Sequence, residues 1–66
     1  MPQRLGREIQ RIRNKRGLSQ EQLAERSELD TITIGFIEQG RREPRLKTLM
    51  KIADALGVRV KDLIPF

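Results

Sequence analysis

Apolar residues recur along this chain at the three- and four-residue spacing that is typical of amphipathic helices. Leu5, Ile9 and Ile12 mark the apolar face of a first helix, which the pattern predicts from about Gln3 to Arg16. Gly17 follows at the position where glycine commonly ends a helix in the left-handed conformation. No segment shows the strict alternation that predicts a strand, so we expect an all-α fold.

The second predicted helix begins with a capping motif. Ser19 is followed three residues later by Gln22, which is the pattern of a capping box, in which each side chain accepts a hydrogen bond from the other residue's backbone. This motif places the start of the helix at Gln20. The helix is short and ends near Arg26 or Ser27, so only two turns are expected.

The third predicted helix runs from Thr31 to Gln39 and stops at Gly40. Asp30 precedes it and is a favourable N-cap, because a carboxylate suits the positive end of the helix dipole. Ile34 and Ile37 lie three residues apart and are its expected buried side chains. A tight turn between the second and third helices therefore brings two short helices together.

Two further helices complete the pattern. The fourth runs from about Arg45 to Leu56 and ends at Gly57, and the last runs from Val60 to about Ile64. The apolar residues of the fourth helix are Leu46, Leu49, Met50, Ile52, Ala53 and Leu56. We therefore expect residues 1–66 to form one domain of five short helices.

The charge of the chain suggests a polyanionic partner. The chain has fourteen Lys and Arg residues and nine Asp and Glu residues, which gives a net charge of +5 and a pI near 10.8. Basic domains attract nucleic acids through electrostatic steering and counterion release. A net charge of this size also suits simple solubility, so charge alone shifts the interpretation only modestly.

The composition disfavours several classes of protein. Cysteine and histidine are absent, so no disulfide, thiolate or imidazole metal site is expected, and no cofactor is predicted. The nine acidic residues are scattered along the helices, which makes an enzyme a remote alternative. No apolar run approaches the roughly 18 residues that span a membrane, and no signal peptide is visible at the start. We expect a cytoplasmic protein without a membrane partner.

The chain resembles the lambda-repressor-like helix-turn-helix family, of the Cro/cI or Xre type, in three segments that occur in the family's order. These segments are GLSQEQLAERS, IEQGRREP and LKTLMKIADALGV. The resemblance covers about Leu5 to Ile64 and implies a compact five-helix DNA-binding domain with its helix-turn-helix at about 20–39. It further implies a transcription regulator that binds double-stranded DNA as a dimer, with the third helix as the recognition helix.

The resemblance also implies roles for individual residues. The recognition-helix positions that face base edges in the family correspond here to Thr31, Ile32 and Phe36, and Thr33 and Gly35 flank them. All five are expected to contact bases. The family's phosphate-contacting positions correspond to Ser19, Gln20, Arg41, Arg42 and Arg45. Arg13 and Glu38 match a pair that forms a structural salt bridge between the first helix and the recognition helix.

The recognition helix has an unusual composition for this role. Ile32 and Phe36 are four residues apart, so they share one face, and apolar side chains can contact the methyl group of thymine but no hydrogen-bonding base edge. We therefore expect thymine-rich positions in the DNA site. Gly35 costs about 1 kcal/mol relative to alanine inside a helix, and a close approach to DNA or of Phe36 to a neighbour would compensate.

Two functions remain open from the sequence. The first is a small transcriptional regulator, most simply a repressor, that binds a palindromic operator as a homodimer and needs no small-molecule effector. The residues expected at the dimer interface are Leu63, Ile64 and Phe66. The second is a protein-interaction module, such as an antitoxin, that uses the apolar face of Ile32 and Phe36 to bind another protein.

Overall fold

The computed structural model describes residues 2–64, with side chains from residue 4 onward, and this part of the chain contains helices and no strand. Five helices follow one another in the order α1 (Pro2–Lys15), α2 (Gln20–Arg26), α3 (Thr31–Glu38), α4 (Leu46–Leu56) and α5 (Val60–Leu63). The predicted all-α class and the order of the five helices are confirmed. The observed boundaries differ from the predicted ones by a residue at most.

The N-termini of α2 and α3 are capped as the sequence predicts. Ser19 Oγ accepts a hydrogen bond from the Gln22 N–H at 3.0 Å, and Gln22 Oε1 accepts one from the Ser19 N–H at 2.8 Å. Asp30 Oδ1 accepts a hydrogen bond from the Thr33 N–H at 2.6 Å. These bonds satisfy backbone donors that a helix leaves unpaired in its first turn, and they fix where both helices begin.

One core joins the five helices. α1 packs against α3 and α5, α2 packs against α3 and α4, and α4 packs against α5. The buried apolar residues are Ile9, Ile12, Leu18, Leu23, Ala24, Ile34, Ile37, Leu49, Ile52, Ala53, Leu56 and Leu63. Because α3 contributes its apolar face to this core, the direction in which its other face points is fixed by packing.

Gly6 allows α1 to approach the end of α3 closely. A Cβ atom at this position would lie 2.3 Å from the Ile37 carbonyl oxygen and 2.6 Å from the Glu38 carbonyl oxygen. Both are backbone atoms, which cannot move aside as the end of a flexible side chain can. Any larger residue at position 6 would therefore push α1 away from the C-terminus of α3.

The exposure of several apolar residues differs from what the sequence led us to expect. Leu63 is completely buried within the core of the chain, so in a single chain its side chain has no exposed surface. The dimer interface expected from the sequence stays a prediction. Ile64 is half-buried, and Phe66 lies outside the described residues. On α4, Leu46 and Met50 are 66% and 54% exposed, although both belong to the apolar pattern of that helix.

The turn between α2 and α3 carries a strained residue. Glu28 has φ of 59°, in the left-handed region where glycine is favoured, and it stands just after the C-terminal end of α2. The Leu29 N–H donates to the Ala24 carbonyl at 2.8 Å and the Glu28 N–H donates to the Glu25 carbonyl at 3.2 Å, which is the hydrogen-bond pattern of a Schellman motif. Glycine would satisfy this geometry without the steric cost.

Replacing Glu28 with glycine is therefore expected to raise the free energy of unfolding by about 1 kcal/mol, because the left-handed conformation is strained for any residue with a Cβ. The exposed Glu28–Lys51 pair, at 3.9 Å, contributes little that would be lost. Urea denaturation monitored by circular dichroism measures the change.

Glu25→Gly is the matched control, because it makes the same charge change within α2. That variant should lose about 0.5–1 kcal/mol, since glycine is unfavourable inside a helix. Destabilisation by both substitutions would contradict the assignment of strain to Glu28.

Candidate nucleic-acid interface

α3 presents one face to the core and the opposite face to solvent. Ile34, Ile37 and Glu38 are buried, whereas Ile32 is 68% exposed and Phe36 is 37% exposed. The side chain of Thr31 is also exposed, and Thr33 and Gly35 are partly exposed. The five residues that the resemblance places at base edges therefore share the outward side of this helix: Thr31, Ile32, Thr33, Gly35 and Phe36.

A buried ion pair ties the C-terminal end of α3 to α1. Arg13 Nε donates to Glu38 Oε2 at 2.7 Å, and Arg13 Nη2 donates to Glu38 Oε1 at 3.1 Å. The third nitrogen of the guanidinium, Nη1, donates to the Leu18 carbonyl at 2.7 Å. This bidentate pair matches the fork of the guanidinium to the carboxylate, and it holds α1, α3 and the start of α2 in a fixed arrangement.

Gln20 extends this network. Its side-chain amide donates from Nε2 to Glu38 Oε1 at 3.0 Å, so the first residue of α2 is hydrogen-bonded directly to the last residue of α3. The sequence expectation gave Gln20 a phosphate contact and missed this bond, because residues 18 apart along the chain show no pattern in a single sequence. No buried side-chain nitrogen or oxygen in the described part of the chain lacks a hydrogen-bond partner.

Asp30 supplies negative charge at the N-terminus of α3. Hydrogen bonds from the backbone and side chain of Thr33 hold the pKa of the Asp30 carboxyl below its ordinary value, and the nearby positive charge of Arg42 acts in the same direction. Asp30 therefore remains ionised at neutral pH and acts as the N-cap of α3. Its contribution to stability is present above the pKa of the unfolded chain and is lost as the pH falls through the lowered pKa.

The basic loop, Gly40–Arg45, begins at the end of α3. Gly40 has φ of 77° and donates its N–H to the Ile37 carbonyl at 3.1 Å. The Arg41 N–H donates to the Phe36 carbonyl at 2.9 Å, so the loop backbone turns back onto the helix. The three arginine side chains of the loop, Arg41, Arg42 and Arg45, are exposed.

The predicted phosphate-contacting residues divide into two groups in the structure. The loop arginines extend into solvent beside α3, whereas Ser19 and Gln20 lie at the start of α2, where their side chains already make the cap and network bonds. The side chains of both remain accessible, because Ser19 is exposed and Gln20 is half-buried. Contacts of either group with phosphate stay predictions.

Gly35 has free space around it. An added Cβ would meet no heavy atom of the described chain within 4 Å, apart from its chain neighbours and the backbone of its own helix. The helix is regular at this residue, and its φ is outside the left-handed region that requires glycine. Packing of the described chain around position 35 therefore does not account for the glycine.

The described part of the chain contains neither a metal-binding cluster nor a membrane-spanning helix. Residues 2–64 contain no cluster of three or more acidic residues that could hold a metal ion. None of the helices over the same range has the length and apolar character needed to cross a membrane.

Two short helices joined by a tight turn, with the second helix exposing one face beside a basic loop, define a helix-turn-helix domain. Residues 9–63 match the helix-turn-helix (HTH_3) family model, and the chain belongs to this family. The predicted resemblance to lambda-repressor-like proteins is confirmed.

Several proteins are similar to this chain in sequence or in fold. The chain is 42% identical over 62 residues to the control protein C.BamHI of Bacillus amyloliquefaciens, which covers 92% of this chain and 76% of that protein. It is 40% identical over 60 residues to the immunity repressor protein of Bacillus phage phi105, covering 91% of this chain but only 42% of the repressor. The crystal structure of the restriction-modification controller protein C.AhdI from Aeromonas hydrophila superposes with a TM-score of 0.94 at 35% identity and 96% coverage of both chains.

These relationships establish the general class of the protein. It is a DNA-binding transcriptional regulator of the helix-turn-helix family, which is not a family of enzymes. The predictions that the chain is a DNA-binding transcriptional regulator and that it is not an enzyme are confirmed.

The ion pair between Arg13 and Glu38 gives a testable energetic prediction. Replacing Glu38 with alanine leaves a buried guanidinium without its partner, and the free energy of unfolding should fall by about 3–5 kcal/mol. Replacing both residues, with Arg13→Met and Glu38→Leu, should recover most of this loss because no buried charge remains. Urea denaturation at low temperature measures both variants.

A double variant as unstable as Glu38→Ala would show that the loss comes from shape and not from an unpaired charge. The exposed pair of Glu8 and Arg11, at 2.5 Å, is a suitable control. Glu8→Ala should change stability little, since ion pairs in contact with solvent are weak.

Proposed function

We propose that the chain binds a palindromic operator as a homodimer in the cytoplasm and represses transcription there, with α3 in the major groove. The observation that carries this proposal is the orientation of α3. Its inner face is buried and its last residue is held by Arg13, so its outer face is a rigid surface on the outside of the domain. A rigid exposed helix of this kind suits insertion into a groove of about 12 Å.

The character of the outer face indicates which bases it would read. Ile32 and Phe36 have no donors or acceptors, so in the major groove they can distinguish only the methyl group of thymine. The hydroxyl groups of Thr31 and Thr33 add hydrogen bonds to bases or phosphates. This distribution supports an operator with thymine at the positions opposite α3.

The basic loop suits the sugar–phosphate backbone on either side of the groove. Its start is hydrogen-bonded to the Phe36 carbonyl, so the backbone of Arg41 and Arg42 stays close to the C-terminal end of α3. Arginine contacts to phosphate hold a protein in register without reading sequence, and each one adds to the salt dependence of binding. Arg45 precedes α4 without making a side-chain cap, so its guanidinium is available for this contact.

The homodimer requires a self-complementary surface. Leu46 and Met50 lie four residues apart on α4, are both more than half exposed, and lie outside the proposed DNA-reading face. Because Leu46 follows Arg45 directly, two chains joined at this surface would bring their basic loops close to one symmetry axis. Such a dimer should bind half-sites about 34 Å apart, or one turn of DNA.

A protein partner is the second candidate for the outer face of α3. The 68% exposure of Ile32 favours it, since large exposed apolar side chains often mark protein interfaces. The two candidates differ in their response to salt. Binding to DNA weakens steeply as salt rises, whereas a largely apolar protein interface tolerates salt.

Two substitutions separate base reading from phosphate contact. Phe36→Ala should reduce the preference for a duplex from upstream of the gene over a scrambled duplex by about 5- to 100-fold, while the salt dependence stays the same. Arg45→Gln should weaken binding to both duplexes alike and lower the slope of log K against log salt by about 1. Fluorescence anisotropy with labelled duplexes at several salt concentrations measures both quantities.

The unchanged protein and Lys61→Gln on α5 are the controls, because Lys61 is exposed and lies outside the proposed surface. Equal, weak binding of the unchanged protein to both duplexes would refute operator binding and favour the protein partner. An unaltered preference in Phe36→Ala would refute its role at the bases.

The dimer surface is tested by introducing a charge. Met50→Lys should convert a dimer into a monomer, because a lysine on each chain would face its copy across the symmetry axis. Sedimentation equilibrium measures the mass, and binding to one and to two half-sites shows whether cooperativity is lost. Ile64→Lys is the comparison at the C-terminal surface first expected from the sequence. If Met50→Lys stays dimeric while Ile64→Lys becomes monomeric, the dimer interface does not lie at Leu46 and Met50.

A further inference from the structure

Gly35 is unfavourable for the fold of the isolated chain. It lies inside α3, where alanine is a better helix former. Its backbone conformation does not require glycine, and the space around an added Cβ is free of the rest of the described chain. In contrast, alanine at Gly6 would collide with backbone atoms 2.3 and 2.6 Å away. The fold thus explains the glycine of α1 but not that of α3.

The position of Gly35 points to a partner outside the chain. On the helix surface Gly35 neighbours Thr31 and Ile32, one turn earlier, and both are exposed. The space around an added Cβ at Gly35 is open, so no side chain of the described chain stands between this point of the helix backbone and an approaching molecule. A group that approached Gly35 would touch the helix backbone there.

We propose that Gly35 is a specificity-determining residue whose missing side chain admits the 5-methyl group of an operator thymine to the backbone of α3. The inference rests on the proposed binding of DNA and adds to it the residue that sets how closely the helix approaches the bases. The space at Gly35 is open, Ile32 one turn earlier is a largely exposed apolar side chain, and the thymine methyl is the one apolar group on base edges in the major groove.

The missing side chain at Gly35 should have opposite effects on folding and on binding. Gly35→Ala should raise the melting temperature by about 4–8 °C, because the helix is more stable and nothing in the chain opposes the new methyl group. It should weaken binding to the upstream duplex by about tenfold or more, because the added methyl group keeps the thymine methyl away from the helix backbone. Instability of the variant therefore cannot explain the expected loss of binding.

Deoxyuridine tests the chemical identity of the group, because it differs from thymidine only by the missing methyl. Duplexes in which one thymidine at a time is replaced by deoxyuridine should show one position where the unchanged protein binds about five- to tenfold more weakly. Gly35→Ala should lose the penalty at that position, since its own methyl group already excludes the thymine methyl, and should keep the penalties that come from Ile32 and Phe36 at other positions. Anisotropy titrations of both proteins against the natural duplex and each singly substituted duplex give this comparison.

Gln10→Ala is the matched control, because it places alanine at an exposed position of α1 without changing charge. It should leave both affinities within about twofold of the unchanged protein, as expected for a residue outside the interface. The inference is overturned if Gly35→Ala binds the natural duplex as tightly as the unchanged protein, or keeps the full preference for thymidine at every position of the duplex. Failure of the unchanged protein to prefer the upstream duplex over a scrambled one would instead refute the proposed function.

Discussion

The buried bond between Arg13 and Glu38 is the interaction on which the arrangement of the other helices depends. Glu38 is the last residue of α3, and it accepts hydrogen bonds from α1 through Arg13 and from the start of α2 through Gln20. Arg13 also donates to the Leu18 carbonyl just before α2. One carboxylate thus fixes three helices, and a charged pair at this depth is tolerated because each of its polar atoms is hydrogen-bonded.

This constraint determines what α3 can present to a partner. The helix has only eight residues, so its own backbone hydrogen bonds could not keep it helical in water. The cap at Asp30, the core contacts of Ile34 and Ile37 and the bond at Glu38 together fix both ends and the inner face. The outer face then carries exposed apolar side chains on a helix whose position is fixed, which is the property that a base-reading surface needs.

Much of the fold could be predicted because its signals are local. Ser19, Asp30 and the glycines that end α1, α3 and α4 each act within a few residues, and the spacing of apolar residues identified the helices. The exposure of Leu46 and Met50 could not be predicted, because an apolar residue on the edge of a helical face is buried only if a neighbour covers it. The burial of Leu63 likewise depends on how α5 packs, which no short pattern encodes.

The candidate site was predicted less completely for the same reason. The resemblance identified the outward residues of α3, and the structure places them on one side of the helix. The bond of Gln20 to Glu38 joins residues that are distant along the chain, and the open space at Gly35 depends on how the rest of the chain folds around it. Neither could therefore be found without the three-dimensional structure. Gly35 was recognisable in the sequence as unfavourable, but whether a neighbour in the chain explained it could only be decided in three dimensions.

The most direct test of this account is a titration of the ¹⁵N-labelled protein with the duplex from upstream of its gene, followed by amide chemical shifts. The account predicts that the largest changes occur on the outer face of α3, in the loop Gly40–Arg45 and at the start of α2. Changes concentrated instead on the exposed basic residues of α1, such as Arg7 and Arg11, would mean that the protein meets DNA through general charge attraction. That result would contradict α3 as the recognition helix.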